Sequence, residues 1–151
     1  MQSWHFTGRD NPPIMDGLHL TADLRGCAAE RAAMTEIDVL RALCLEAVAL
    51  AGLQPVGELF HRFACDGTSA GVPSKPAGGV TGVVLLAESH LAVHTWPELD
   101  AVTLDVYVCN YGADNTARAH ALLAHLLDAF AATQVERHAI LRGAAAVAAP
   151  R

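Results

Sequence analysis

Positive charge is scarce in this sequence. Lys and Arg number 10 against 16 acidic residues, for a formal net charge of −6. The basic residues are scattered, and so acidic a domain has no general attraction for a phosphate backbone, which argues against a nucleic-acid partner. No apolar run reaches the roughly 18 residues of a helical membrane span, so no membrane partner is expected. The opening MQSWHFTGRD carries no apolar signal stretch. Cys27, Cys44, Cys65 and Cys109 show no CxxC spacing. An even cysteine count is not by itself a disulfide framework in a chain able to build a core. A reduced, cytoplasmic protein is the expectation. HExxH and GxSxG are absent as well, which removes the usual zinc-protease and α/β-hydrolase signatures.

What is present is a core. Apolar residues make up 52% of the 151 and charged residues 17%. This excludes a mainly disordered chain and suits one ordinary domain. Pro12–Pro13 should keep residues 1–16 out of regular structure, as a flexible N-terminal segment. Leu18, Leu20, Ala22 and Leu24 alternate with polar residues, which predicts a half-buried strand closed by Gly26. Thr35 is a candidate N-cap for a helix through Leu40, Leu43, Ala47 and Leu50, ending at Gly52. Strands are predicted at 56–63, 80–87, 90–96 and 102–109. Asp114 or Asn115 should cap a second helix with Leu122, Leu126 and Phe130 on its apolar face. A last strand is predicted over 133–142, and 143–151 is expected to be a flexible tail. Residues 64–79, ACDGTSAGVPSKPAGG, read as a long loop. The order predicts an α+β fold, a largely antiparallel sheet with helices packed on one face. Two β-α-β-β halves are compatible with it, without a visible repeat.

One segment concentrates chemistry. Ala87-Glu88-Ser89-His90-Leu91-Ala92-Val93-His94-Thr95-Trp96-Pro97-Glu98 holds two carboxylates, two imidazoles, a serine and a tryptophan in apolar surroundings. Buried polar groups need partners, so this density calls for a site or a network. In a strand, His90, Ala92 and His94 share one face. Thr103, Asp105, Tyr107 and Cys109 share one face of the next predicted strand, and His94 and Cys109 are expected to meet if the two strands pair. Zinc binding and Ser–His hydrolysis are the competing readings of these residue types. Taken singly, each residue also has a structural account: a turn hydroxyl, a hydrogen-bonded histidine, a buried cysteine.

The run AESHLAVHTWPE followed by LDVYVC resembles the active-site signature of the bacterial and archaeal S-adenosylmethionine decarboxylases. GLHLTADLRGC at 17–27, FHRF at 60–63 and GGVTGVVLL at 78–86 extend the resemblance over residues 17–142. It implies a pyruvoyl-dependent carboxy-lyase, made as a zymogen, that cuts itself between Glu88 and Ser89. Ser89 becomes the pyruvoyl cofactor, which forms a Schiff base with the substrate amine. The resemblance also implies that His94 and Thr81 assist processing, that Cys109 donates the proton after decarboxylation, and that Phe63, Trp96 and Glu98 contribute to substrate binding. No metal is implied. The expected substrate is small and amino-acid-like, S-adenosylmethionine for polyamine (spermidine) synthesis, with arginine or ornithine as the alternatives. A non-processing structural or regulatory homologue is the third reading. A dimer of processed protomers is implied. His90 either shares in catalysis or only orients the bend at the cut. The chain departs from the family pattern in three places: Thr81 stands where serine is usual, Asn110 follows Cys109 where glycine is usual, and the link from Phe63 to Gly79 is longer.

Overall fold

The computed structural model describes residues 16–28, 31–64 and 78–143. In chain order they form β1 (Gly17–Arg25), α1 (Ala32–Thr35), α2 (Ile37–Leu50), β2 (Pro55–Phe63), β3 (Gly79–Leu86), β4 (His90–Trp96), β5 (Ala101–Cys109), α3 (Thr116–Phe130) and β6 (Gln134–Arg142). A 3₁₀ turn, Pro97–Leu99, joins β4 to β5. All pairings are antiparallel, in one 6-stranded sheet ordered β2-β3-β4-β5-β1-β6.

The alternation of side chains decides the layering. Leu20 and Leu24 of β1, Val84 of β3, Leu91 and Val93 of β4, and Leu104 and Val106 of β5 all point to one face and are buried. Leu40, Cys44 and Val48 of α2 and Leu122, Leu126 and Phe130 of α3 complete that core. Each such leucine contributes roughly 1.5–3 kcal/mol by leaving water. This is the expected α+β architecture, with the helices on one face. The opposite face carries His19, Thr81, Ala92, His94, Thr103, Asp105 and Tyr107 and, among the described residues, has no helix over it. Leu59, Leu85 and Ile140 also lie on that face and are exposed.

Thr95 is the exception within the buried layer. Its hydroxyl donates to the Met34 carbonyl at 2.7 Å and accepts from the Val80 amide at 2.8 Å, so α1 is tied to both β3 and β4. Gly79 makes the approach possible, because a Cβ there would overlap the Thr95 carbonyl oxygen.

Some expectations change. Thr35 does not cap the long helix; it ends α1, and Glu36 occupies the N-cap position of α2 without a side-chain cap bond. The helices follow the first and fifth strands, so the second half runs strand-strand-helix-strand and does not repeat the order of the first. Residues 1–15, 29–30, 65–77, including most of the long loop and Cys65, and 144–151 lie outside the described residues.

Candidate active site

The β3–β4 turn carries the Glu88–Ser89 bond. Leu86 N–H donates to the Ser89 carbonyl at 2.9 Å and Ser89 N–H to the Leu86 carbonyl at 3.4 Å, leaving Ala87 and Glu88 exposed at the tip. In the β4–β5 ladder His90 stands opposite Tyr107. The turn therefore lies across from the end of β5, and the Cys109 amide donates to Ser89 Oγ at 3.1 Å. Cys109 is buried, and its Sγ accepts from the Tyr111 amide at 3.4 Å.

A second cluster sits at the other end of the open face. Thr81 and His94 are cross-strand partners, with Oγ1 and Nδ1 hydrogen-bonded at 2.9 Å. The rings of Phe63 and Trp96 lie 5.0 Å apart at an interplanar angle of 57°. Glu98 is half-buried on the 3₁₀ turn that follows. The expected meeting of His94 and Cys109 does not occur. His94 pairs with Thr103, which lies about 20 Å from Cys109 at the usual rise per strand residue. Periodicity assigns a face, and register decides which residues of that face meet.

Between the clusters lie His90, for which the sequence left two roles open, and His19, Asp105, Tyr107 and Arg142, to which it assigned none. His19 Nε2 is 3.1 Å from Asp105 Oδ1. The His90 and Tyr107 rings are 5.6 Å apart, and Arg142 lies over Tyr107. Burial, then the neighbouring His19, hold the His90 imidazole below its ordinary value, while Asp105 opposes them. His19 became visible only once β1 was seen to pair with β5. Cys27 and Cys44 belong to the core, and burial pushes the Cys44 thiol up to about 12. Cys27, Cys44 and Cys109 are free thiols. Among the described residues no group of three or more His, Cys, Asp or Glu is arranged to hold a metal ion, and no helix is long and apolar enough to cross a membrane.

An antiparallel sheet covered by helices on one side, with a serine turn held against a cysteine on the other, defines a class of α+β protein built around an open sheet face. The S-adenosylmethionine decarboxylase family pattern matches residues 18–143, and the chain belongs to that family. The S-adenosylmethionine decarboxylase proenzyme of Thermoplasma acidophilum is 35% identical over 127 residues, which is 84% of this chain and 83% of that one. The proenzyme of Symbiobacterium thermophilum is 38% identical over 98 residues, 65% of this chain and 64% of its own. That of Aquifex aeolicus is 39% identical over 93 residues, 62% of this chain and 58% of its own. The chain thus aligns with less than two thirds of the length of these last two relatives. The crystal structure of the Aquifex aeolicus adenosylmethionine decarboxylase superimposes with a TM-score of 0.70 at 28% identity, over 91% of this chain and 98% of that one.

Proposed function

We propose that this chain cleaves its own backbone between Glu88 and Ser89 and then decarboxylates S-adenosylmethionine for polyamine synthesis. The contact between Ser89 and Cys109 carries the reading, because it joins the residue to be converted to a proton source. In the cleavage, Ser89 Oγ attacks the Glu88 carbonyl carbon and the amide becomes an ester. Loss of the Ser89 Cα proton then breaks the Cβ–Oγ bond and frees the upstream chain as a carboxylate. Water then displaces ammonia, leaving a ketone at the new N-terminus. A hydroxyl needs a positioned base for such an attack, a role suited to the hydrogen-bonded pair Thr81–His94.

The donor set suits a pyruvoyl group at position 89: a place at the base of the turn, an amide donor from Cys109, and its thiol on the same residue. Such a group supplies a carbonyl that takes up the substrate amine and accepts the electrons left by carbon dioxide. The thiol of Cys109 returns the proton. Phe63 and Trp96 offer flat apolar faces for an adenine ring or a sulfonium, and the half-buried Glu98 can help bind the substrate or order the site.

The separation of the two clusters supports a two-fold dimer. Thr81–His94 lies too far from Ser89 of the same chain to act on it. Packing two open faces in opposite directions brings the Thr81–His94 end of one copy onto the Ser89–Cys109 end of its partner. It also covers the exposed Leu59 and Leu85. A cytoplasmic setting is part of the same proposal.

The test is intact mass with and without Ser89→Ala, together with carbon dioxide release from S-adenosylmethionine, arginine and ornithine. Fragments 1–88 and 89–151, an uncut variant and turnover of S-adenosylmethionine are expected. Turnover of a basic amino acid alone would reassign the substrate. Turnover by an uncut chain would reject the mechanism.

A further inference from the structure

Helix α3 begins at an asparagine that does not cap it. Asn115 stands at the N-cap position and makes no side-chain cap hydrogen bond. Asparagine there ordinarily turns its oxygen onto an amide of the first helical turn. Here Asp114 Oδ1 takes the Thr116 N–H at 2.9 Å instead. The Asn115 side chain reaches back to β5, and its Nδ2 donates to the Cys109 carbonyl at 2.9 Å. Arg118 Nη1 donates to Asn115 Oδ1 at 3.0 Å, which fixes the end of the amide that faces Cys109. The Asn115 backbone N–H donates to Asn110 Oδ1 at 2.9 Å, and Asn110 Nδ2 donates to Thr116 Oγ1 at 3.2 Å.

These bonds converge on one residue. The Cys109 N–H is held by Ser89 Oγ, its carbonyl by Asn115, and its sulfur by the Tyr111 N–H. Cleavage removes Ser89 Oγ, and the carbonyl and sulfur ties that remain set the direction of the Cα–Cβ bond, and so of the thiol. We infer that Asn115 is a positioning residue for proton delivery by Cys109, acting through the Cys109 carbonyl. The inference rests on the reading of Cys109 as proton donor. Proton delivery tolerates little misplacement, whereas substrate binding by the aromatic pair does not depend on it. Losing the amide should therefore lower kcat and leave KM unchanged.

The deciding variant is Asn115→Asp in the full chain. Aspartate keeps the size, caps at least as well, and keeps a partner for Arg118; it replaces the donor to the Cys109 carbonyl by a charged acceptor, which the carbonyl repels. The expected result is complete chain cleavage, an unchanged or higher melting temperature, unchanged KM, and kcat lower by roughly 10- to 100-fold. Parental kcat in the folded variant, or a raised KM at constant kcat, overturns the inference. Cys109→Ala is the control. Full turnover there rejects the proton-donor reading itself; loss there with none in Asn115→Asp rejects the role of Asn115 alone. If Asn115→Asp does not fold, Asn115→Ala, which removes the same donor without adding charge, carries the same kcat and KM expectations.

Discussion

The hydroxyl of Ser89 accepts a hydrogen bond from the backbone amide of Cys109 at 3.1 Å, across a gap of 20 residues in the chain. The donor is main chain, so it survives any side-chain change at 109. Cleavage and turnover can therefore be separated at this position. Cys109→Ala is expected to cleave to completion, while carbon dioxide release falls by about 10²- to 10⁴-fold, the usual worth of a positioned acid. Intact mass and a carbon dioxide assay check the two halves independently. An uncleaved Cys109→Ala protein would show that the thiol acts in processing.

The proposed shared site makes a prediction about mixtures. Ser89→Ala cannot be cut, and His94→Ala lacks the imidazole proposed to act on its partner's serine. Co-expressed, the two form heterodimers in which one site is whole. The His94→Ala chain should then be cut in part, although it stays intact when expressed alone. Mass spectrometry distinguishes the chains. No cutting in a verified heterodimer would put Thr81–His94 and Ser89 in the same protomer's site.

Thr81 holds His94 through its hydroxyl and adds a methyl group beside it. Thr81→Ser keeps the bond and removes the crowding, so fragments 1–88 and 89–151 should appear faster after synthesis. A time course of freshly made protein reads this directly, and slower cleavage would show that the methyl group helps to hold the imidazole.

The buried hydroxyl of Thr95 links three elements. Thr95→Val keeps the shape and leaves the Val80 N–H and the Met34 carbonyl without that partner. A loss of about 1–3 kcal/mol in unfolding free energy is expected, read by urea denaturation in the uncut Ser89→Ala background. An unchanged midpoint would mean that water or backbone movement replaces both bonds.

Stability should fall on acidification, in part through His90. Its imidazole is held below the ordinary 6.5 by burial and by His19. The folded chain thus binds fewer protons at this group than the unfolded chain. Its contribution is complete above 6.5 and is lost as pH drops through 6.5 toward the folded value. Between about pH 7.5 and pH 5.5, His90→Asn should show a shallower decline than the parent, both compared in the Ser89→Ala background. Equal slopes would remove His90 from the account.

The strands and both long helices were legible because their signals are local. Leu18 to Leu24 alternate, Leu122 to Phe130 recur at helical spacing, and Pro97 and Gly52 end their elements. The Thr35 cap was misread because Met34, the residue before it, is buried in a short helix of its own. Asp114 and Asn115 were both legible as caps. Which of them would cap, and what the other would do, depended on where Cys109 ended up.

By itself the sequence determined which residues share a strand face, where the strands and the two long helices lie, and that Glu88 and Ser89 flank a single peptide bond. Those are covalent and periodic properties, carried by the chain before it folds. Tertiary structure alone decided that Cys109 meets Ser89, that His94 stands about 20 Å away with Thr81, and that His19 joins Asp105. The reason is register: sliding β5 along β4 by an even number of residues leaves every apolar side chain facing the core, so the pattern alone cannot distinguish the alternatives, while the Pro97–Leu99 turn that joins the two strands and the pairing of β5 with β1 admit only one.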